Sequence, residues 1–144
     1  MSEAEHTPGF TTGLQIRREV MGDDFVERAL ERSRGTDSEA MQEFVTEHAW
    51  GAVWSRPGLD RRSRSLLNLG MLIALRAENE LRGHVRGALR NGLGRTEIIE
   101  SVVHCTAYCG APAGLAAMRV VQEVLEAELG PASEDDEPGA SDQT

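Results

Sequence analysis

The sequence predicts an all-α protein, a single-domain bundle of about six helices. Apolar residues recur at three- and four-residue intervals through most of the chain, and no stretch alternates apolar with polar residues as a half-buried strand does. Aromatic residues make up only 4% of a chain that is 40% hydrophobic, so Leu, Val, Ile, Ala and Met must build the core, a composition that suits packed helices. A length of 144 residues fits one core and leaves no room for a second catalytic domain.

Taken in order, residues 1–12 are polar and expected to be flexible, and residues 13–129 to form the helical domain. Leu14 to Met21 opens the first helix. Gly22 interrupts it, and Asp23 or Asp24 is placed to cap a continuation through Phe25, Val26, Ala29 and Leu30. Gly35 to Ser38 reads as a turn, and Met41, Phe44, Val45 and Ala49 repeat with helical spacing. The stretch Trp50 to Gly58 holds Gly, Pro and both tryptophans, and reads as an ordered loop.

Asp60 then caps a segment from Arg61 to Ala77 whose run from Leu66 to Leu75 leaves little polar face, so it is expected at the centre of the fold or in a subunit interface. Glu78 to Asn91 follows, closed by Gly92 as a left-handed cap. Thr96 is expected to cap Glu97 to Cys109. Gly110 breaks that helix, and Pro112 suits the first turn of a last helix running to Leu129. Residues 130–144 are acidic, nearly free of apolar side chains, and expected to be a disordered tail.

Charge and composition exclude several function classes. The formal charge is −9, and five of the acids fall in the tail, which leaves the preceding chain at about −4. Nucleic acid is therefore an unsuitable partner, since phosphate contacts need a basic surface. All fifteen basic residues are Arg and none is Lys, which removes Schiff-base decarboxylation and an imine-held pyridoxal phosphate. No apolar run approaches the roughly 18–20 residues that span a bilayer, and Met1 to Phe10 lacks the layout of a signal peptide. The expected location is cytoplasmic, with no membrane partner.

Three polar rows stand out on the expected helices. His84 has Glu80 one turn before it and borders the apolar positions Leu81, Val85 and Leu89; Glu80 either assists the imidazole or only stabilises the helix. Glu97, Glu100 or Ser101, His104 and Tyr108 recur at one-turn intervals on the next helix. Arg61, Arg64 and Asn68 form the third row, in which Arg64 is either a structural ion pair or a receptor for a carboxylate substrate. His48, beside Trp50, is catalytic or a helix-end cap. Cys105 and Cys109 share a helical face and read either as small packing residues or as a thiol pair; with His104 they fall short of a zinc set, so no metal is expected.

The segments His48-Ala49-Trp50-Gly51, Trp54-Ser55-Arg56-Pro57-Gly58-Leu59, Arg64-Ser65-Leu66-Leu67, His84-Val85-Arg86 and Tyr108-Cys109-Gly110-Ala111-Pro112-Ala113 resemble, in order and spacing, the carboxymuconolactone decarboxylase family of the alkylhydroperoxidase-D-like superfamily. Gly13 to Gly22 is also similar, and the likeness covers nearly all of residues 13–129. Redox members of the superfamily carry C-x-x-C-x-x-x-H on the helix that here bears His84; Ala77 and Glu80 stand at the cysteine positions.

The resemblance implies a carboxy-lyase of aromatic catabolism. It would release CO2 from 4-carboxymuconolactone and leave the enol-lactone of 3-oxoadipate, in the protocatechuate branch of the β-ketoadipate pathway. No cofactor is implied, because the substrate's conjugated lactone carbonyl takes up the electrons left by CO2. It implies His84 as proton donor, Glu80 as its partner and His48 as a second donor. Arg64 and one of Arg17 or Arg18 would hold carboxylates, Trp50 would exclude water, and Tyr108 and His104 would border the substrate. A homo-oligomer, trimer or hexamer, is expected. The competing expectations are a relative acting on another lactone or keto acid, a thiol-dependent redox protein using Cys105 and Cys109, and a non-catalytic helical oligomer.

Overall fold

The computed structural model describes residues 5–133, which fall into two compact units divided between Arg64 and Ser65. Among these residues every regular element is helical, as the sequence predicts. These comprise seven α-helices, in keeping with the expected number of about six, and one π-helix. The expectation of a disordered tail concerns mainly residues 134–144, which lie outside the described residues.

The first unit holds α1 (Pro8–Met21), α2 (Asp23–Ser33), α3 (Glu39–Phe44) and a π-helix (Val45–Val53). Helix α1 starts five residues before the expected boundary at residue 13. The Thr7 side chain accepts from the Phe10 amide at 3.1 Å and Pro8 supplies the first turn, so a cap-and-proline signature lies inside what reads as a polar leader. Gly22 rather than Asp23 or Asp24 caps α2. The two acids occupy its first turn, where the partial positive charge of the exposed amides favours them.

The expected loop from Trp50 is also corrected, since Trp50 to Val53 are helical in a wider spiral whose bonds run from residue i+5 to residue i, as in Trp54 N–H to Ala49 O at 3.1 Å. That spiral puts Thr46, Trp50, Gly51 and Trp54 on its buried side, and the two indoles stack with centroids 4.8 Å apart. Ile16, Val20, Met21 and Val26 complete this core. Glycine permits the close approach: a Cβ on Gly13 would lie 1.9 Å from the Thr46 carbonyl oxygen, and one on Gly51 would lie 2.3 Å from the Gly9 carbonyl oxygen.

Helix α4 (Arg61–Ala74) begins in the first unit and ends in the second, which also holds α5 (Glu78–Arg90), α6 (Arg95–Cys109) and α7 (Ala111–Leu129). Asp60 caps α4 as expected, its carboxylate accepting from the Ser63 amide at 2.7 Å. The helix stops at Ala74, short of the expected Ala77, and Arg76 then turns the chain with a φ of +56°. Gly92 has the left-handed backbone expected of it, with a φ of +94°. Helix α6 is capped by Gly94 rather than Thr96: the Glu97 carboxylate accepts from the Gly94 amide at 2.9 Å, and Thr96 lies within the first turn. The second core is aliphatic, with Leu69, Ile73, Leu81, Val85, Ile98 and Leu125 at its centre.

Candidate active site

In the first unit the two arginines of α1 have different surroundings. Arg18 is half-buried and pairs with Glu27 at 3.2 Å. Arg17 is 6% exposed; its Nη1 donates to the Thr46 hydroxyl at 3.0 Å, and that hydroxyl donates to the Gln42 carbonyl oxygen at 2.7 Å. No carboxylate among the described residues pairs with Arg17, and burial alone pushes its pKa down. Arg64 is half-buried, its Nη2 donating to the Arg56 carbonyl oxygen at 2.8 Å while its Nε is buried and unbonded. It therefore has no structural ion pair among the described residues, one of the two roles left open for it.

Trp50 is 5% exposed and belongs to the first unit's core. His48 lies on the outer side of the π-helix, exposed, with its ring 4.4 Å from that of Phe44.

In the second unit His84 is half-buried, neither sealed among aliphatic side chains nor fully in water. Its Nδ1 lies 3.4 Å from the Asn68 side-chain nitrogen, across from α5 to α4. If the amide donates in this pair, Nδ1 is the unprotonated nitrogen and Nε2 carries the ring hydrogen. Asn68 is the contact that sequence spacing missed. It is visible there only as a polar neighbour of Arg64, because a bond between positions 68 and 84 depends on how two helices pack. Glu80 is exposed one turn before His84. His104 and Tyr108 are both exposed on α6 with rings 5.1 Å apart, Tyr108 to 81%. A small recess bordered by Leu72, Arg76, Leu81 and Ala113 includes none of the candidate residues.

The two cysteines are reduced thiols on α6. Burial, with a contribution from the neighbouring Cys109, pushes the Cys105 thiol up, away from the reactive thiolate. No group of three or more His, Cys, Asp and Glu side chains suited to a metal occurs among the described residues.

Comparison with known proteins adds the chemical context. The model of the carboxymuconolactone decarboxylase family matches residues 39–123. Nitrosuccinic acid decarboxylase npaB of Metarhizium robertsii is 46% identical over 120 residues, which cover 83% of each chain. A 4-carboxymuconolactone decarboxylase of Acinetobacter baylyi is 43% identical over 125 residues, covering 87% of this chain and 92% of that one. An uncharacterised 15.0 kDa protein of Paracoccus denitrificans is 33% identical over 101 residues, 64% of this chain and 75% of its own.

Proposed function

Because the chain belongs to the carboxymuconolactone decarboxylase family and is a carboxy-lyase like the two decarboxylases it resembles, we propose that it removes CO2 from 4-carboxymuconolactone without a cofactor. The carbon–carbon bond to the departing carboxylate breaks, and its electron pair runs through the ring double bond onto the lactone carbonyl oxygen. A proton delivered to the carbon beside that carbonyl then gives the enol-lactone of 3-oxoadipate. The protein's tasks are to orient the diacid, keep water from the reacting carboxylate, stabilise the developing oxyanion and deliver the proton.

The observation that supports this reading best is the setting of His84: a half-buried imidazole with Asn68 against one nitrogen, in a chain that has no Lys. In this reading His84 protonates the carbon, and Glu80 orients the imidazole or recharges it with a proton taken from solvent. Arg64 and one of Arg17 or Arg18 hold carboxylates, Trp50 walls off water, and His48 supplies a further donor. His104 and Tyr108 border the substrate. The place in the protocatechuate branch of the β-ketoadipate pathway follows from the substrate, and a cytoplasmic location accompanies it. No described helix is long and apolar enough to cross a membrane. Assembly into a homo-oligomer, trimer or hexamer, belongs to the same reading, since Leu66, Leu67 and Met71 are exposed along α4 and Leu75 just beyond its end.

A second substrate is favoured by the relative at 46% identity, which decarboxylates nitrosuccinic acid. There the nitro group, on the carbon that loses CO2, takes the electron pair as a nitronate. A thiol-peroxidase reading has less support, given Ala77 and Glu80 at the redox positions and the raised Cys105 thiol. The test is to generate the lactone in situ from carboxymuconate with its cycloisomerase, add this protein, and follow CO2 and the ultraviolet change, with 2-nitrosuccinate in parallel. Release of CO2 from the lactone at the higher kcat/KM is expected. Faster release from the nitro acid would transfer the assignment to it, and release from neither would end the proposal.

A further inference from the structure

Among the described residues, Arg18 pairs with Glu27, Arg34 with Glu31, Arg61 with Glu19, Arg82 with Glu123 and Arg86 with Glu128. Arg17 differs from all of them. It is 6% exposed, its one hydrogen bond goes to a neutral hydroxyl, and no described carboxylate meets it. Nε and Nη2 have no protein partner among the described residues, yet neither is sealed from solvent. A buried cation without an anion is costly to keep, and the cost falls when an anionic ligand arrives.

The surroundings are built to hold this guanidinium still. Thr46 is fixed by its bond to the Gln42 carbonyl oxygen, and its own carbonyl packs so closely on Gly13 that any side chain there would collide with it. A second unsatisfied group belongs to the same turn: the Gln42 side-chain oxygen is buried and unbonded. A half-turn of that amide converts the acceptor into a donor for an anion.

We propose that Arg17, held by Thr46, receives the carboxylate that the substrate keeps, so that the enzyme selects dicarboxylates whose second acid survives the reaction. This rests on the decarboxylase reading above. Decarboxylation carries negative charge away from the departing carboxylate into the acceptor. A buried, unscreened cation on that carboxylate would stabilise the ground state more than the transition state and slow the reaction, a penalty smaller for the half-buried, more solvent-screened Arg64. The retained carboxylate keeps its charge throughout, so a buried guanidinium there binds without that penalty and positions the reacting carbon. Both decarboxylase relatives are named for acids that carry two carboxylates before reaction.

The test is calorimetric titration of the full chain with succinate, a dicarboxylate with no electron acceptor and therefore no turnover. The wild-type chain is expected to bind it at one site per chain. Arg17→Gln is expected to weaken binding at least tenfold, and the surface control Arg28→Gln to leave it within twofold. Circular dichroism checks folding; should Arg17→Gln fail to fold, Thr46→Val, which keeps the cation and removes its anchor, is expected to weaken binding severalfold. No binding by wild type, unchanged binding by Arg17→Gln, or unchanged binding by Thr46→Val where Arg17→Gln is unfolded would overturn the assignment. Arg17-dependent succinate binding in a protein that leaves both the lactone and the nitro acid intact would uphold the anion site and defeat the decarboxylase reading.

Discussion

In the proposed mechanism the imidazole of His84 must keep one nitrogen aimed at the substrate, and the contact from Asn68 constrains the other. Asn68→Leu is expected to lower kcat about 5- to 30-fold with KM changed less than threefold. Loss confined to KM would place Asn68 in binding instead. Nitrogen-15 spectra of labelled histidine give a second check, because the wild type should show one dominant His84 tautomer and the variant a mixture. Replacing Cys105 and Cys109 together with Ser is expected to leave turnover within about threefold, and abolished activity would restore the thiol mechanism. His84 was legible in the sequence because it sits on the boundary of an apolar helical face within a family motif. Asn68 was legible only as a polar residue, and Arg17 could not be told from Arg18, because burial at adjacent positions depends on what packs against the helix.

Helix starts and stops show the same division between local and tertiary information. Asp60, Gly92 and Pro112 carry their signals in their own chemistry, and the structure uses each as expected. The π-helix had no such signal: Gly51 and the two tryptophans resemble a loop in sequence, and the close packing of the spiral on α1 is visible only in the fold. Gly13→Ala tests that packing. Its methyl group would meet the Thr46 carbonyl, and a loss of about 2–3 kcal/mol in denaturant unfolding is expected; a change below about 0.5 kcal/mol would contradict the close approach.

Acid sensitivity has a local origin here too. The Ser63 amide holds the Asp60 carboxyl below its ordinary range, and hydrogen bonds from Arg61 and Gln15 do the same for Glu19. A carboxyl whose pKa is lower in the folded state adds stability above its unfolded pKa and loses it as pH falls through the folded value. Melting temperature should therefore fall on acidification through and below the usual carboxylate range, and Asp60→Asn should flatten part of that fall. Identical pH profiles for variant and wild type would show that the cap charge contributes nothing.

On the scale of the whole molecule, α4 has two apolar faces. Ser65, Leu69 and Ile73 are buried, while Leu67, Met71 and, just past the helix end, Leu75 are exposed, Met71 to 53%. A helix of this kind needs a second cover, and a further copy of the chain is the cover that the proposed oligomer supplies. Light scattering after gel filtration should give a trimer or hexamer for the wild type and smaller species for a folded Leu67→Glu, Met71→Glu double variant; a monomeric wild type would contradict the assembly. The all-helical class and the nearly continuous apolar helix were legible from periodicity, whereas the division into two units was not, since both cores lie within one uninterrupted helical pattern. Chemistry joins these scales in one comparison: CO2 release from freshly generated 4-carboxymuconolactone by the wild type and by a folded His84→Gln variant. Wild-type turnover with a loss greater than tenfold in the variant, equivalent to roughly 1.4 kcal/mol of barrier, is the expected result. Equal turnover by both proteins would contradict proton delivery by His84.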